Sequence, residues 1–113
     1  MRPEARKYLY DIAQAADLIE SFTSDKTFAD YEANAMLRSA VERQFEIIGE
    51  ALAQLTRLDE PLAAKIEDCR RIIAFRNILI HGYAVVDDRL VWDIVQSKLP
   101  VLRQDVASLL EEP

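Results

Sequence analysis

The segment Arg76-Asn77-Ile78-Leu79-Ile80-His81-Gly82-Tyr83 puts four polar side chains into the most apolar part of the chain. Each must find a partner there or lose free energy on leaving water. His81 is the only histidine. It falls in the last helical turn before Gly82, where the helix dipole favours its protonated form, so it can give or take a proton near neutral pH. A plain C-terminal capping or core histidine fits the same spacing. On an ideal helix Asn77 and His81 share a face at i,i+4, while Arg76 and His81 are offset by about 140°. Arg76 then meets His81 by bending across a groove, or meets the copy from a second subunit. The chain has no C-x-x-C, no H-E-x-x-H and no glycine-rich phosphate loop, which argues against a zinc enzyme or a P-loop nucleotide binder. No metal and no cofactor are expected.

The elements that must position these groups read as helices throughout. Leu9, Ile12, Ala16 and Ile19 recur at steps of three and four, widened by Tyr8, Ala15 and Phe22, which predicts a core-facing helix ending near Ser24. Ser21 to Asp30 carries short polar side chains that compete with helical hydrogen bonds and reads as a connection, with a new start near Asp30. From Tyr31 to Arg57, the stripe Leu37, Val41, Phe45, Ile48, Leu52 and Leu55 predicts the longest helix. Arg38, Glu42, Arg43, Glu46 and Glu50 on its other faces read as solvated, paired charges. Gly49 inside it costs about 1 kcal/mol relative to alanine and marks the close approach of another backbone. Asp59, Glu60 and Pro61 start a short amphipathic piece. Ile72, Ile73, Phe75, Ile78, Leu79 and Ile80 spread almost all round a helical wheel, as in a helix enclosed by neighbours or by a partner subunit, and Gly82 stops it. After a polar connection at Val85 to Asp88, Leu90 to Leu99 and Val101 to Leu110 form a last helical stretch that Pro100 must kink or restart. Four or five helices in an all-α, up-down bundle follow.

The chain has 113 residues, half of them hydrophobic and 30% charged, with two glycines, which suits one helix-rich domain over residues 1–113. No apolar run approaches the roughly 18 residues of a membrane span, and the N-terminal stretch lacks the apolar region of a secretory signal; a cytoplasmic protein is expected. Cys69, the one cysteine, reads as a buried reduced thiol. The net charge of -6 argues against a protein that coats nucleic acid by long-range attraction, so any RNA site must be locally basic.

The order Arg76, four residues, His81, one residue, Tyr83 resembles the R-x4-H-x-Y signature of HEPN domains of the HepT-like (DUF86) branch. Ala40 to Leu52 (AVERQFEIIGEAL) is similar to that family's second-helix signature, and Val91 to Val106 (VWDIVQSKLPVLRQDV) resembles its proline-interrupted last helix. The resemblance covers nearly the whole chain. It implies a homodimeric HEPN-like helical bundle and a metal-independent toxin ribonuclease of a type VII HepT/MNT toxin–antitoxin system, with tRNA the favoured substrate class. It also implies a partner, a minimal nucleotidyltransferase (MNT) antitoxin that uses ATP to attach AMP to the motif tyrosine, here Tyr83. Arg76, Asn77 and His81 are carried over as catalytic.

Such a reaction needs a proton acceptor, a proton donor and positive charge on the phosphorane, and no metal. His81 would shuttle protons, and Arg76 would fork onto two phosphoryl oxygens. Asn77 would orient His81 or donate to the phosphate; a helix-surface amide is its ordinary role. One histidine per chain does not easily serve as both acid and base, which points to a symmetric dimer sharing one cleft. Arg70 and Arg71 would bind substrate in a basic slot with Arg76, although each also suits a solvated or salt-bridged position. AMP on Tyr83 would fill and neutralise that slot; otherwise the ring is a packed aromatic. Two alternatives stand beside this reading. One is a non-enzymatic helical binding module that grips a nucleotidyltransferase or a nucleotide. The other is a structural bundle whose polar network fixes dimer register.

Overall fold

Proline at the start and apolar residues every third or fourth position build α1 (Pro3–Thr23), and its stripe Ala5, Leu9, Ile12, Ala16 and Ile19 is wholly buried. The computed structural model describes Met1 to Pro113, and every regular element in it is helical. Thr23 ends α1 by turning its hydroxyl back onto the Ile19 carbonyl at 2.8 Å. The chain restarts at α2 (Phe28–Ala33), where Thr27 and Asp30 form a reciprocal cap: Asp30 N–H donates to the Thr27 hydroxyl at 3.2 Å, and Thr27 N–H donates to the Asp30 carboxylate at 2.9 Å.

The single helix expected over Tyr31 to Arg57 is in fact two. Asn34 leaves helical geometry (φ -117°, ψ 99°) and its side-chain oxygen accepts from Leu37 N–H at 3.0 Å, so it closes α2 and caps α3 (Ala35–Leu58). The regular apolar spacing begins only at Leu37, and α2 buries Tyr31 alone. A short asparagine that satisfies an otherwise orphaned N–H decides the local backbone.

Asp59 caps the short α4 (Glu60–Ala63) by accepting from Leu62 N–H at 3.1 Å. Next come α5 (Cys69–His81), a 3-10 turn at Tyr83–Val85, and α6 (Asp88–Ser97). Pro100 restarts the chain rather than kinking it, since it stands in the first turn of α7 (Leu99–Leu110). Gly82 ends α5 without the left-handed backbone that a glycine stop usually uses: its φ is -113° and its N–H donates to the Ile78 carbonyl at 2.8 Å.

Five helices of ten or more residues therefore make the bundle, with α3 packed against α1 on one side and α5 on the other, and α7 against α1 and α6. Phe45 and Phe75 lock α3 to α5 edge to face, with ring centroids 5.2 Å apart. That contact sets the spacing of the two helices that build the site below. Cys69 is buried, and burial pushes its thiol above the usual range. No helix is long and apolar enough to cross a membrane.

A polar cluster lies under α2. Tyr31 is fully buried, tilts against Trp92 at 5.5 Å, and leaves its hydroxyl without a partner. Burial, with Asp88 and Glu46 nearby, raises Glu42 above the ordinary carboxylate range, against the opposing pull of Arg38. A carboxyl raised in the folded chain binds its proton more tightly there than when unfolded. Stability then falls as pH rises from the unfolded to the folded value, and stays lowered above it. Glu42→Gln is accordingly expected to melt above the parent at neutral pH, with the gap closing as pH falls through the carboxylate range. Paired thermal melts across roughly pH 4 to 8 check this; a gap that does not change with pH would discard the account.

Candidate active site

Arg76 projects from the side of α5 that faces α3, and glycine makes room for it. A β-carbon at Gly49 would stand 2.2 Å from the Arg76 Cβ and 2.6 Å from its Cγ. The close approach read from Gly49 is thus real, but it is the stem of Arg76 that comes near rather than a bare backbone. From there the guanidinium donates through one terminal nitrogen to Glu50 Oε2 at 2.6 Å, and through the other to Asn77 Oδ1 at 2.9 Å. Its Nε is buried without a partner. The other Glu50 oxygen, Oε1, accepts from Gln54 Nε2 at 3.0 Å. The Arg76 side chain is 25% exposed and that of Glu50 49%, so water screens the pair and its contribution to stability is about 0–1 kcal/mol. Its consequence is orientation: a planar fork held on both sides at the lip of a cavity.

That cavity, of about 310 Å³, lies between α1, α3 and α5 and is lined by Tyr8, Ile47, Gln54 and Ile80 beside Arg76 and Glu50. Asn77 spends its carbonyl on Arg76 instead of on His81, one turn further along. His81 is exposed in the last turn of α5. Tyr83 is 78% exposed in the 3-10 turn, so within one chain it is not a packed aromatic.

Arg70 and Arg71 open elsewhere. Arg70 borders a small depression with Thr56, Glu60 and Cys69. Arg71 pairs with Asp68 at 3.7 Å and edges a second groove, of about 320 Å³, between α5 and α6. Within one chain the three arginines therefore face three separate depressions. The reason is helical geometry, since residues 70, 71 and 76 point in different directions round one axis. Nor is α5 enclosed on all sides. Ile72, Phe75 and Leu79 are buried, while Ile78, Ile80 and, beyond the helix, Val85 and Leu90 stay exposed.

Glu50 was legible only as one of the solvated charges on the long helix, and Gln54 was not singled out at all. The one signal in the sequence was the glycine beside Glu50, since an interior helix glycine needs a packing reason. No group of three or more His, Cys, Asp or Glu side chains is placed to hold a metal ion.

Comparison with known proteins gives a consistent picture. The family model described as "Ribonuclease HepT-like" matches residues 12–109. A Methanocaldococcus jannaschii protein named "Gamma-glutamylcyclotransferase and putative RNase" is 35% identical over 99% of this chain, which spans 50% of that protein's length. A second M. jannaschii protein, named as a putative RNase, is 33% identical over 91% of the chain and 94% of its own length. A Thermococcus cleftensis protein named "Probable ribonuclease HepT" is 37% identical over 91% of the chain and 93% of its own length. No solved structure matches.

Proposed function

The chain belongs to the HepT-like ribonuclease family, and from that premise we propose that it is the toxin ribonuclease of a type VII HepT/MNT toxin–antitoxin pair. It cleaves RNA, with tRNA the favoured class, and needs no metal. The observation that carries this reading is the guanidinium of Arg76, held between Glu50 and Asn77 at a cavity lip, five residues before the only histidine on the same helix.

The ribose 2'-hydroxyl attacks the adjacent phosphorus, the 2'-oxygen–phosphorus bond forms, and the phosphorus–5'-oxygen bond breaks. Arg76 carries a permanent charge on a fork that matches two phosphoryl oxygens, so it positions the phosphate and stabilises the phosphorane. Asn77 holds that fork in plane. His81 transfers a proton at the exposed end of α5.

A homodimer fits the same surface. Ile78, Tyr83 and Val85 on the segment that carries His81, and Leu90 in α6, are exposed apolar side chains, and a second copy seated on them would bury them and bring two motifs together. Arg70 and Arg71 would then serve substrate binding from the rim. Tyr83 is open to a partner enzyme. Attack of its phenolic oxygen on the α-phosphorus of ATP, with loss of pyrophosphate, would leave a bulky anion where substrate phosphate must enter.

Purified chain, free of AMP by intact mass, is expected to shorten tRNA in the presence of EDTA. After incubation with the nucleotidyltransferase and ATP, its mass should rise by whole AMP units mapped to Tyr83, and cleavage should stop. RNA left uncut by the unmodified chain, alongside tight binding of the nucleotidyltransferase, would favour a binding module instead.

A further inference from the structure

We propose that Glu50 is a catalytic residue, the general base that removes the 2'-hydroxyl proton, paired with His81 as general acid. The proposal rests on the ribonuclease reading above and supplies what one histidine per chain leaves missing.

Glu50 differs from the other carboxylates of α3. Both of its oxygens are held, Oε1 by Gln54 at 3.0 Å and Oε2 by Arg76 at 2.6 Å, yet half of the side chain faces solvent. It is fixed and accessible together, as a base must be. It is also the only ionisable side chain in hydrogen-bond contact with the guanidinium; the other partner is the amide of Asn77.

The two contacts divide the fork. One terminal nitrogen points to Glu50 on α3, and the other to Asn77, whose helix leads to His81 four residues on. In-line displacement at phosphorus needs the entering and leaving oxygens on opposite sides. A phosphate bound by Arg76 would have the Glu50 carboxylate on one flank; the imidazole of His81, which does not line this cavity, would have to reach the other flank from the end of α5 or from a second copy.

The balance of the step is simple. The 2'-hydroxyl proton passes to Glu50 as the 2'-oxygen bonds to phosphorus. The imidazolium of His81 gives its proton to the departing 5'-oxygen. The products are a 2',3'-cyclic phosphate and a 5'-hydroxyl, with Glu50 protonated and His81 neutral; exchange with water restores both.

Single-turnover cleavage of an RNA oligonucleotide, followed across pH, tests the role. Glu50→Gln keeps an oxygen that accepts from Arg76, so the fork stays placed while the base is lost. Its rate should fall by about 10²- to 10⁴-fold, and the acidic limb of the pH–rate profile should disappear. Formate added to Glu50→Ala should restore at least about tenfold, because a small carboxylate replaces the base but not a structural tie. Glu50→Gln cleaving at the parent rate overturns the proposal. So does a slower variant whose acidic limb persists and whose alanine counterpart ignores formate, since Glu50 would then only position Arg76. A parent chain that leaves RNA intact removes the ribonuclease reading itself, and this role with it; the parent control separates the two failures.

Discussion

His81→Ala cleaves RNA about 10²- to 10⁴-fold more slowly than the parent chain in single turnover, and Arg76→Ala about 10²- to 10³-fold more slowly: with the loss expected of Glu50→Gln, these are the largest effects on cleavage. The two losses differ in kind. Without His81 the leaving oxygen departs without a proton. Without Arg76 the phosphorane loses a charge that was aimed in advance by Glu50 and Asn77. Arg76→Lys should not recover the rate, because an ammonium cannot present two parallel donors.

Neither variant should unfold the chain. His81 is exposed, so its truncation should change stability by no more than about 0.5 kcal/mol. Truncating Arg76 leaves a carboxylate that is itself 49% exposed and can be rehydrated. Circular dichroism melts alongside the kinetics check this. Full cleavage by a folded His81→Ala protein would refute the assigned role.

The second large effect falls on stability. Gly49→Ala should lower the melting temperature, even though alanine is the better helix former by about 1 kcal/mol. The new methyl would meet the Arg76 Cβ at 2.2 Å. A β-carbon cannot rotate away, so α3 and α5 must part, loosening the Phe45–Phe75 contact that joins them. Overpacking of this kind costs about 1–3 kcal/mol, and each kcal/mol is worth roughly 4 °C in a chain of this size. Cleavage should drop too, because Arg76 moves with α5.

The remedy identifies the cause. Arg76→Ala removes the γ-carbon at 2.6 Å but keeps the β-carbon at 2.2 Å, so it should rescue Gly49→Ala less than Arg76→Gly, which removes both. A Gly49→Ala chain that melts at or above the parent temperature would show that the two helices do not approach so closely.

Much of the fold was legible because helical periodicity is a local property. Leu37, Val41, Phe45, Ile48, Leu52 and Leu55 are all buried as their spacing implied, and Pro100 could only kink or restart its helix. Ahead of that stripe the start of the helix was misread: the first regular apolar position is Leu37, and Asn34, which caps α3, separates Tyr31 from it. Glu50 could not be distinguished from Glu42 or Glu46 by spacing. All three occupy polar positions on α3, and only the placement of α5 gives one of them Arg76.

The amino-acid order alone thus set which face of each helix turns inward, where most helices begin and end, and that an arginine, an asparagine and a histidine stand within two turns of one another. It did not set what Arg76 would touch. Its partner Glu50 lies 26 residues away, on a different helix. Periodicity defines direction around a single axis and carries no information about how a neighbouring axis is placed. That placement came from packing: a glycine that admits the arginine stem, and two phenyl rings that hold the helices at the distance where guanidinium and carboxylate meet.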